Sequence, residues 1–279
     1  MNGLLYKYFP LDSDEHLSRI ERVLNGWLYF SSPATFNDPF EMRPLLAPPT
    51  RDDFDEVVKR IGLGAVMLSK SAQNKAFRAV AQGMQTAANP AVAQEWLDSI
   101  GVLCMTTKSD DLLMWAHYAS NHMGLCIGFE QSSKPFVNAR KVQYEEDRPK
   151  VRTLELERHD EDLLNRVLCT KSPHWRYEAE WRCLKRPIRN QELQYYEELT
   201  KIEPSKNDEI AELLATEGGP GQYEFNPLAI QRIYLGARMS LERQQEVIDM
   251  QCRVENTARI YQMDLDPRYF KLQATKRKR

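Results

Sequence analysis

Apolar residues recur along the chain with a period of two in some segments and a helical period of about 3.6 in others. The first segment, LLYKYF, is typical of a strand, and an Asp or Ser cap then introduces an amphipathic helix. The predicted strands cover residues 4–9, 27–32, 101–106, 124–129, 140–145, 175–186, 229–236 and 258–264. The predicted helices cover residues 14–25, 52–98, 111–119, 155–169, 207–217 and 240–251.

These elements follow no regular strand–helix–strand period, and no internal repeat is visible. The pattern therefore predicts an α+β fold, with a central mixed or antiparallel sheet of short strands and flanking helices. We predict one domain over residues 1–270, with an Ala-rich helical insert at about 50–98. Residues 271–279 include the sequence KRKR and are predicted to form a basic, disordered tail.

Composition narrows the class of protein without indicating a function. The 279 residues include 38 Lys and Arg against 40 Asp and Glu, and the net charge of −2 excludes a globally basic nucleic-acid binder. No apolar run approaches the roughly 20 residues that span a bilayer, and the first segment lacks the apolar core of a signal peptide. The five cysteines include no CxxC pair. We therefore predict a cytoplasmic protein with reduced thiols and no membrane partner.

The chain lacks several common catalytic signatures, because it has no Walker A loop and no GxGxxG, GxSxG or HExxH motif. Two early segments nonetheless suit a ligand. Tyr6 and Lys7, on the first strand, could bind an anionic or aromatic group, although a lysine on the solvent side of an edge strand would look the same. Ser31 and Ser32 end the second strand and could hydrogen-bond to a ribose or support a carboxylate.

Two further segments place aromatic rings beside polar groups. Phe36 and Asn37 lie in FNDPFE, where a ligand contact and an ordinary turn with core anchors are equally consistent with the sequence. The segment YEAEWR alternates like a half-buried strand, which would point Glu178 and Glu180 the same way, roughly 6–7 Å apart. Such a pair has one raised pKa and can stabilise a developing cation, whereas an exposed strand face with Glu–Arg pairing is the alternative.

The predicted helix LLMWAHYA is the last candidate segment. Trp115 and Tyr118 share a helix face and could form an aromatic wall for a flat ligand, although core packing is the commoner use of such rings. His117 and His122 are five residues apart, which does not match the i, i+4 spacing of a helical metal site. We therefore predict no metal site.

Five blocks of the sequence together resemble a bacterial and phage family of proteins of unknown function, domain-of-unknown-function family 2971. The blocks are LYKY, FSSP-x-x-FNDPFE, LLMWAHYA-x-x-H-x-GLCIGF, W-x-YE-x-EWR and IYLG, and they occur in this order over residues 4–236. Several blocks run to six or more residues, so the pattern is specific. The resemblance identifies a family but implies no activity.

A second resemblance is to toxin-type mono-ADP-ribosyltransferases, which carry a basic residue on the first strand, then an aromatic-Ser-Thr-Ser strand, and later a Glu-x-Glu. The corresponding residues here are, in order, Lys7, Phe30, Ser31, Ser32, Glu178 and Glu180. Lys7 stands where Arg is usual, and Pro33 stands where the last Ser would be. This resemblance implies an ADP-ribosyltransferase-like fold and NAD as the substrate, bound without a Rossmann motif.

The same resemblance implies a role for each residue. Glu180 would stabilise the oxocarbenium charge on the ribose, Glu178 would orient or deprotonate the acceptor, and Ser31 would brace Glu180. Lys7 would contact a phosphate or ribose as a point charge. The other residues expected to bind NAD are Tyr6, Ser32, Phe36, Asn37, Trp115, His117, Tyr118 and Arg182. The acceptor, such as a protein or a nucleic acid, stays open, and a toxin or phage-defence effector would fit this chemistry.

Two other functions stay open. The acidic residues and the histidine of the candidate segments offer ligands for a metal-dependent nuclease or other hydrolase, although their spacing matches no known ligand pattern. These residues are Asp38, Glu41, Asp110, Asp111 and His117. The aromatic blocks could instead form the recognition pocket of a non-catalytic module that senses a nucleotide or a protein partner.

Overall fold

The fold is that of a computed structural model, which describes residues 3–48, 50–60, 69–87, 90–152, 155, 161–188, 190–254 and 257–277. The chain divides into two compact units, each assembled from separate stretches of sequence. The sheet unit comprises Met1–Thr35, Ser99–Val142 and His174–Arg279. The second unit comprises Phe36–Asp98 and Gln143–Pro173.

The secondary structure alternates between short strands and helices. In chain order, the strands are β1 (Leu4–Phe9), β2 (Trp27–Phe30), β3 (Leu45–Ala47), β4 (Gly101–Thr106), β5 (Leu125–Glu130), β6 (Arg140–Lys141), β7 (Gln143–Tyr144), β8 (Lys150–Arg152), β9 (Thr170–Lys171), β10 (Glu180–Lys185), β11 (Gly221–Glu224), β12 (Ile230–Leu235), β13 (Arg259–Leu265) and β14 (Leu272–Lys276). The helices are α1 (Asp14–Leu24), α2 (Arg51–Arg60), α3 (Lys70–Ala87), α4 (Pro90–Asp98), α5 (Leu112–Tyr118), α6 (Glu161–Leu168), α7 (Asn190–Ile202), α8 (Asn207–Thr216) and α9 (Leu241–Arg253).

Eight strands of the sheet unit form one sheet, in the order β14-β13-β12-β5-β1-β4-β10-β6. All neighbours in this sheet are antiparallel except β12 and β13, which are parallel. A two-stranded sheet of β2 and β11 completes this unit. The second unit contains the pairs β3–β8 and β7–β9, both parallel. The sheet is therefore mixed, and its central strand β1 pairs with β5 and β4.

Both faces of the large sheet are covered, and the alternation along β1 separates two clusters of buried residues. Leu5 and Phe9 belong to the larger cluster, which includes apolar residues of α1 and α9. Tyr6 and Tyr8 belong to the smaller cluster, which includes Trp115 of α5. A strand covered on both faces has no polar side, which explains the continuous apolar run GLCIGF that forms β5.

The structure confirms the predicted α+β class and the mixed sheet. The predicted strands 4–9 and 101–106 coincide with β1 and β4. The predicted helical stretch 52–98 forms α2, α3 and α4 in its described parts, while its residues 61–68 and 88–89 lie outside the described residues. No helix within the described residues is long and apolar enough to cross a membrane. All five cysteines are free thiols.

The compact units have other bounds than the predicted insert at about 50–98, because the second unit begins at Phe36 and also includes Gln143–Pro173. Two predictions about elements need correction, and one helix was missed. Most of the predicted disordered tail is ordered, since β14 pairs with β13 and the Leu272 side chain is buried. The predicted strand 140–145 divides into β6 and β7, which pair with different strands. The helix α7 was not predicted.

Lys185, at the end of β10, is a buried cation, and its titration should change the free energy of unfolding with pH. Its side chain is only 3% exposed, and its Nζ donates a hydrogen bond to the Leu214 carbonyl oxygen at 2.6 Å. The Nζ also lies 3.9 Å from the centre of the Tyr223 ring. Burial lowers the pKa of Lys185 from 10.5 to about 8, against the opposing attraction of Glu217.

We expect the wild-type protein to gain stability relative to Lys185→Met as the pH rises from about 7 to about 9.5. Because the folded pKa lies below the unfolded one, the unfolded chain binds the proton more tightly in this window, and deprotonation favours the fold. The expected relative gain is about 2 kcal/mol, measured by urea unfolding at both pH values. A parallel pH dependence of the two proteins would contradict the prediction, because all other titrating groups are common to both.

Candidate active site

The sheet face that carries the smaller buried cluster brings together most of the predicted site residues. Paired residues on adjacent strands project to the same face, so Glu180, Thr106 and Tyr6 form one row across β10, β4 and β1. All three side chains are buried. The row joins a carboxylate and two hydroxyl groups that lie far apart in the sequence.

Glu178 reaches this region from a turn rather than from the strand. It ends the 3-10 helix Pro173–Glu178, and Ala179 follows with a φ of 46°, in the left-handed region. Strand β10 begins only at Glu180, so the prediction that both glutamates lie on one strand is wrong. The turn is tied to β4 because the Thr106 Oγ1 donates a hydrogen bond to the Glu178 carbonyl oxygen at 2.5 Å.

The Glu178 carboxylate is buried, with 3% of the residue exposed, and is held from the side of α5. The half-buried Tyr118 donates a hydrogen bond from its hydroxyl to Glu178 Oε1 at 2.6 Å. On the loop after β4, the Lys108 Nζ donates to the Tyr177 carbonyl oxygen at 2.7 Å and to Asp111 Oδ2 at 3.1 Å. The Tyr118 hydroxyl thus provides the buried carboxylate with a hydrogen-bond partner, and Lys108 holds the backbone next to it.

Glu180 is engaged differently, in a buried ion pair on its own strand. The Arg182 Nε donates to Glu180 Oε1 at 2.8 Å, and its Nη2 donates to Oε2 at 2.9 Å. The Arg182 side chain is fully buried. Both carboxylate oxygens of Glu180 therefore contact one guanidinium, which is the bidentate geometry that makes Arg–carboxylate pairs strong and directional.

Four aromatic side chains form a cluster that Tyr118 connects to Glu178, and we call it the aromatic cluster. His117 is exposed, while the other three members, Tyr118, Trp175 and Tyr177, are half-buried. The His117 ring centre lies 6.3 Å from those of Tyr118 and Tyr177, and the Trp175 and Tyr177 centres are 6.1 Å apart. These rings offer solvent-accessible planar surface beside a buried carboxylate, an arrangement that suits a flat ligand carrying positive charge.

Tyr6 and Lys7 are separated by the alternation of β1. The Tyr6 ring lies 6.0 Å from that of Tyr234 on the face of the smaller cluster, and burial raises the pKa of Tyr6 to about 12. Lys7 projects from the opposite face, with its Nζ 5.9 Å from the Phe9 ring centre and donating to the Cys104 carbonyl oxygen at 3.2 Å. Burial lowers the pKa of Lys7. The structure does not bring Lys7 to the aromatic cluster.

Trp115 is a core residue. Its ring is fully buried, lies 5.2 Å from that of Tyr8 and is stacked on His122 at 6.3 Å. Its Nε1 donates a hydrogen bond to the Ser109 carbonyl oxygen at 3.0 Å, which satisfies the polar atom of the indole. Trp115 therefore anchors α5 in the core, while Tyr118 on the same helix contacts Glu178.

Ser31 and Ser32 lie at the wrong end of β4 to brace Glu180. Ser31 exchanges two backbone hydrogen bonds with Val102, both of 2.9 Å, whereas Glu180 pairs with Thr106. Val102 and Thr106 are four residues apart along β4, a distance of roughly 13 Å. Ser32 uses its Oγ to accept a hydrogen bond from the Ala34 amide at 3.2 Å. The brace that the resemblance assigned to Ser31 is instead provided to Glu180 by Arg182.

Phe36 and Asn37 belong to the second unit, where Phe36 is half-buried and Asn37 is exposed. In the same unit, Glu41 forms a buried ion pair with Lys171 at 3.5 Å. In the sheet unit, Asp111 caps α5 by accepting the amide hydrogen bonds of its first turn. Within the described ranges, no three His, Cys, Asp or Glu side chains are grouped so that they could hold a metal ion.

The sequence did not indicate Thr106 and Lys108 as parts of this region. Thr106 is the last residue of the strand GVLCMT, where it ends an otherwise apolar run, and Lys108 follows two residues later. Their contacts are to backbone carbonyl groups about 70 residues away along the chain, at 177 and 178. Nothing in the local pattern predicts such a partner.

These features describe an α+β protein with a buried, hydrogen-bonded glutamate beneath an aromatic cluster. Residues 114–183 match a family model described as "Protein of unknown function (DUF2971)", which confirms the resemblance to that family over roughly a quarter of the chain. The matched segment contains Tyr118, Glu178, Glu180 and Arg182. The comparisons gave no match among curated proteins and none among solved structures.

Proposed function

We propose that this protein cleaves the nicotinamide–ribose bond of NAD by ADP-ribosyl-transfer chemistry, with Glu178 as the carboxylate that acts on the ribose. The observation that carries the proposal is the Glu178 carboxylate, buried and hydrogen-bonded to Tyr118 at 2.6 Å beneath exposed and half-buried rings. The order of the Lys7, Ser31 and Glu-x-Glu segments along the chain supports the choice of NAD by resemblance alone.

The proposed reaction needs a preorganised negative charge. The bond between ribose C1′ and the nicotinamide nitrogen breaks, and nicotinamide leaves with the electron pair. The acceptor's nucleophile, either water or a group on a protein or nucleic acid, forms a bond to C1′ and gives up its proton. Positive charge develops on the ribose between these events, and a fixed carboxylate in a site of low dielectric stabilises it by about 3–4 kcal/mol.

The contacts favour Glu178 over Glu180 for this role, which reverses the roles implied by resemblance. Both carboxylate oxygens of Glu180 accept hydrogen bonds from the buried Arg182 guanidinium, so we assign this ion pair a structural role. Glu178 instead accepts a hydrogen bond from Tyr118, which belongs to the aromatic cluster. In this proposal, His117 and Tyr177 stack on the nicotinamide or adenine ring, and Arg182 positions Glu180 rather than the ligand.

A cytoplasmic location, and an effector role as a toxin or in defence against phage, belong to the same proposal. The free thiols of the chain suit a reducing compartment. The acceptor would then be a cellular protein or nucleic acid, or water in an NAD glycohydrolase.

We expect Glu178→Gln to lower nicotinamide release from NAD by about a hundredfold to a thousandfold, because it removes the charge but keeps the volume and the acceptor for Tyr118. Tyr118→Phe should cost about tenfold through loss of one hydrogen bond to a charged group. The measurement is chromatographic detection of nicotinamide with the purified full chain, first with water and then with a cell extract as acceptor.

Glu242→Gln is the matched control, because Glu242 is an exposed glutamate in the first turn of α9, and it should retain full release. The rates are divided by the folded fraction of each variant, so that loss of stability is not read as loss of chemistry. Saturable NAD binding without nicotinamide release by the wild type would overturn the catalytic proposal in favour of a sensing module. Release that Glu178→Gln leaves unchanged would overturn the role of Glu178.

A further inference from the structure

A second polar site lies on the same sheet face, away from Glu178. A cavity of about 410 Å³ opens there. It is lined by Leu4, Glu130, Gln231, Arg232, Thr257 and Arg259. Its volume falls within the range of small-molecule sites. Three strands separate β10 from β12 in the sheet, which places Arg232 roughly 19 Å from Glu180.

The sheet register sets two guanidinium groups side by side at this cavity. Arg232 on β12 and Arg259 on β13 are direct partners in the parallel pair, so their side chains leave the same face from backbones roughly 4.8 Å apart. Like charges directly opposite each other on neighbouring strands are destabilising. The pairing is therefore an unfavourable choice for a purely structural sheet, and an anion bound between the two arginines would offset it.

The existing contacts leave donors of this pair directed at the cavity. Arg232 is anchored by one hydrogen bond, from its Nη1 to the Tyr234 hydroxyl oxygen at 3.3 Å. The exposed Arg259 side chain makes no hydrogen bond or ion pair with any residue that the structure describes. A guanidinium carries five N–H donors in a planar fork, and two such forks match the oxygens of a phosphate group.

Glu130 adds a hydrogen-bond acceptor to the cavity. It pairs with Leu4 across β5 and β1, and its Oε2 accepts a hydrogen bond from the Ser133 hydroxyl at 3.3 Å. A carboxylate cannot accept from a phosphate dianion, but it can accept from a sugar hydroxyl. The cavity therefore offers donors on the β12–β13 side and an acceptor on the β5 side.

We infer that this cavity binds a small molecule carrying a phosphate monoester and a neighbouring hydroxyl group, of the sugar-phosphate class, with the phosphate between Arg232 and Arg259 and the hydroxyl on Glu130. The inference does not rest on NAD cleavage, because the cavity contains none of the residues assigned to that reaction. It adds a binding site on the same face of the sheet.

The test is calorimetric titration of the full-length protein at low ionic strength with ribose 5-phosphate and, separately, with inorganic phosphate. Both should bind saturably in the millimolar range or tighter, and Arg259→Gln should weaken both by about tenfold or more. The exposed Arg268 provides the matched control, because Arg268→Gln removes the same charge elsewhere and should leave both affinities unchanged. Added salt should weaken binding, as it does for exposed charge pairs.

Glu130→Ala separates the two parts of the proposed ligand, because it removes both the charge and the acceptor oxygens. It should strengthen binding of inorganic phosphate, by removing a repelling charge, while weakening the preference for ribose 5-phosphate over phosphate. Absence of saturable binding, or equal losses in Arg259→Gln and Arg268→Gln, would overturn the site. Equal gains for both probes in Glu130→Ala would overturn the hydroxyl contact. Because nicotinamide release is a different readout, failure of either proposal leaves the other standing.

Discussion

We expect Arg182→Met to lower the free energy of unfolding of the sheet unit by about 3–5 kcal/mol, because it leaves the buried Glu180 carboxylate without its cation. The Glu180 side chain is 4% exposed and the Arg182 side chain is fully buried, so water cannot replace the lost partner. The measurement is urea unfolding followed by tryptophan fluorescence. Four of the five tryptophans, all except Trp96, belong to the sheet unit, so the signal reports mainly on that unit.

A double substitution tests whether the loss of stability comes from the buried charge that is left unpaired. The double variant Glu180→Leu with Arg182→Met removes both charges and should lose less stability than Arg182→Met alone, because no buried ion remains. Arg268→Met, at an exposed position, should change the free energy of unfolding by no more than about 0.5 kcal/mol. A double variant whose loss equals the sum of the two single losses would show that the two side chains contribute independently.

This ion pair also bears on how glutamate variants should be interpreted. Loss of activity in Glu180→Gln would be ambiguous, because the change leaves the Arg182 guanidinium buried without its carboxylate. Glu178→Gln does not disturb that pair, and its hydrogen bond from Tyr118 can persist. The comparison of the two variants at equal folded fraction therefore separates a stability effect at Glu180 from a chemical effect at Glu178.

The strands that could be predicted from sequence are those whose pattern is dictated by burial. β1, β4 and β5 are apolar on one or both faces, so period and run length were enough to place them. The last strand, β14, could not be predicted, because only Leu272 of its residues is buried. Its order comes from pairing with β13, and that partner is not visible in a local pattern.

The candidate site shows the same division between local and long-range information. The sequence singles out the helix LLMWAHYA and the segment YEAEWR separately, because aromatic and charged residues are dense there, and the hydrogen bond from Tyr118 to Glu178 joins them in the structure. The turn at Ala179 was missed, since a positive φ at alanine has no sequence signal comparable to that of glycine. The wrong placement of Ser31 has a different cause, because only the strand register shows which end of β4 each partner meets.

Gly124, in the segment H-x-GLCIGF, is one of the glycines at which a larger side chain should be poorly tolerated. A Cβ at this position would collide with the Phe9 carbonyl oxygen, and it would lie 3.0 Å from the backbone of Ala119. Its own carbonyl oxygen accepts a hydrogen bond from the Gly236 amide at 2.9 Å, which fixes it from the other side. The colliding atoms belong to backbone, so no change of side-chain rotamer can relieve the contact.

We therefore expect Gly124→Ala to lower the free energy of unfolding by about 2–3 kcal/mol, as overpacking does when the neighbours cannot move. Gly221→Ala is the matched control in the same unit, because its Cβ would meet only the Tyr223 ring, at 3.5 Å or more. That variant should stay within about 0.5 kcal/mol of the wild type in the same urea experiment. Equal stability of the two variants would mean that β5 can move away from β1, and since β5 joins β1 to β12, the Arg232 cavity would then change with it.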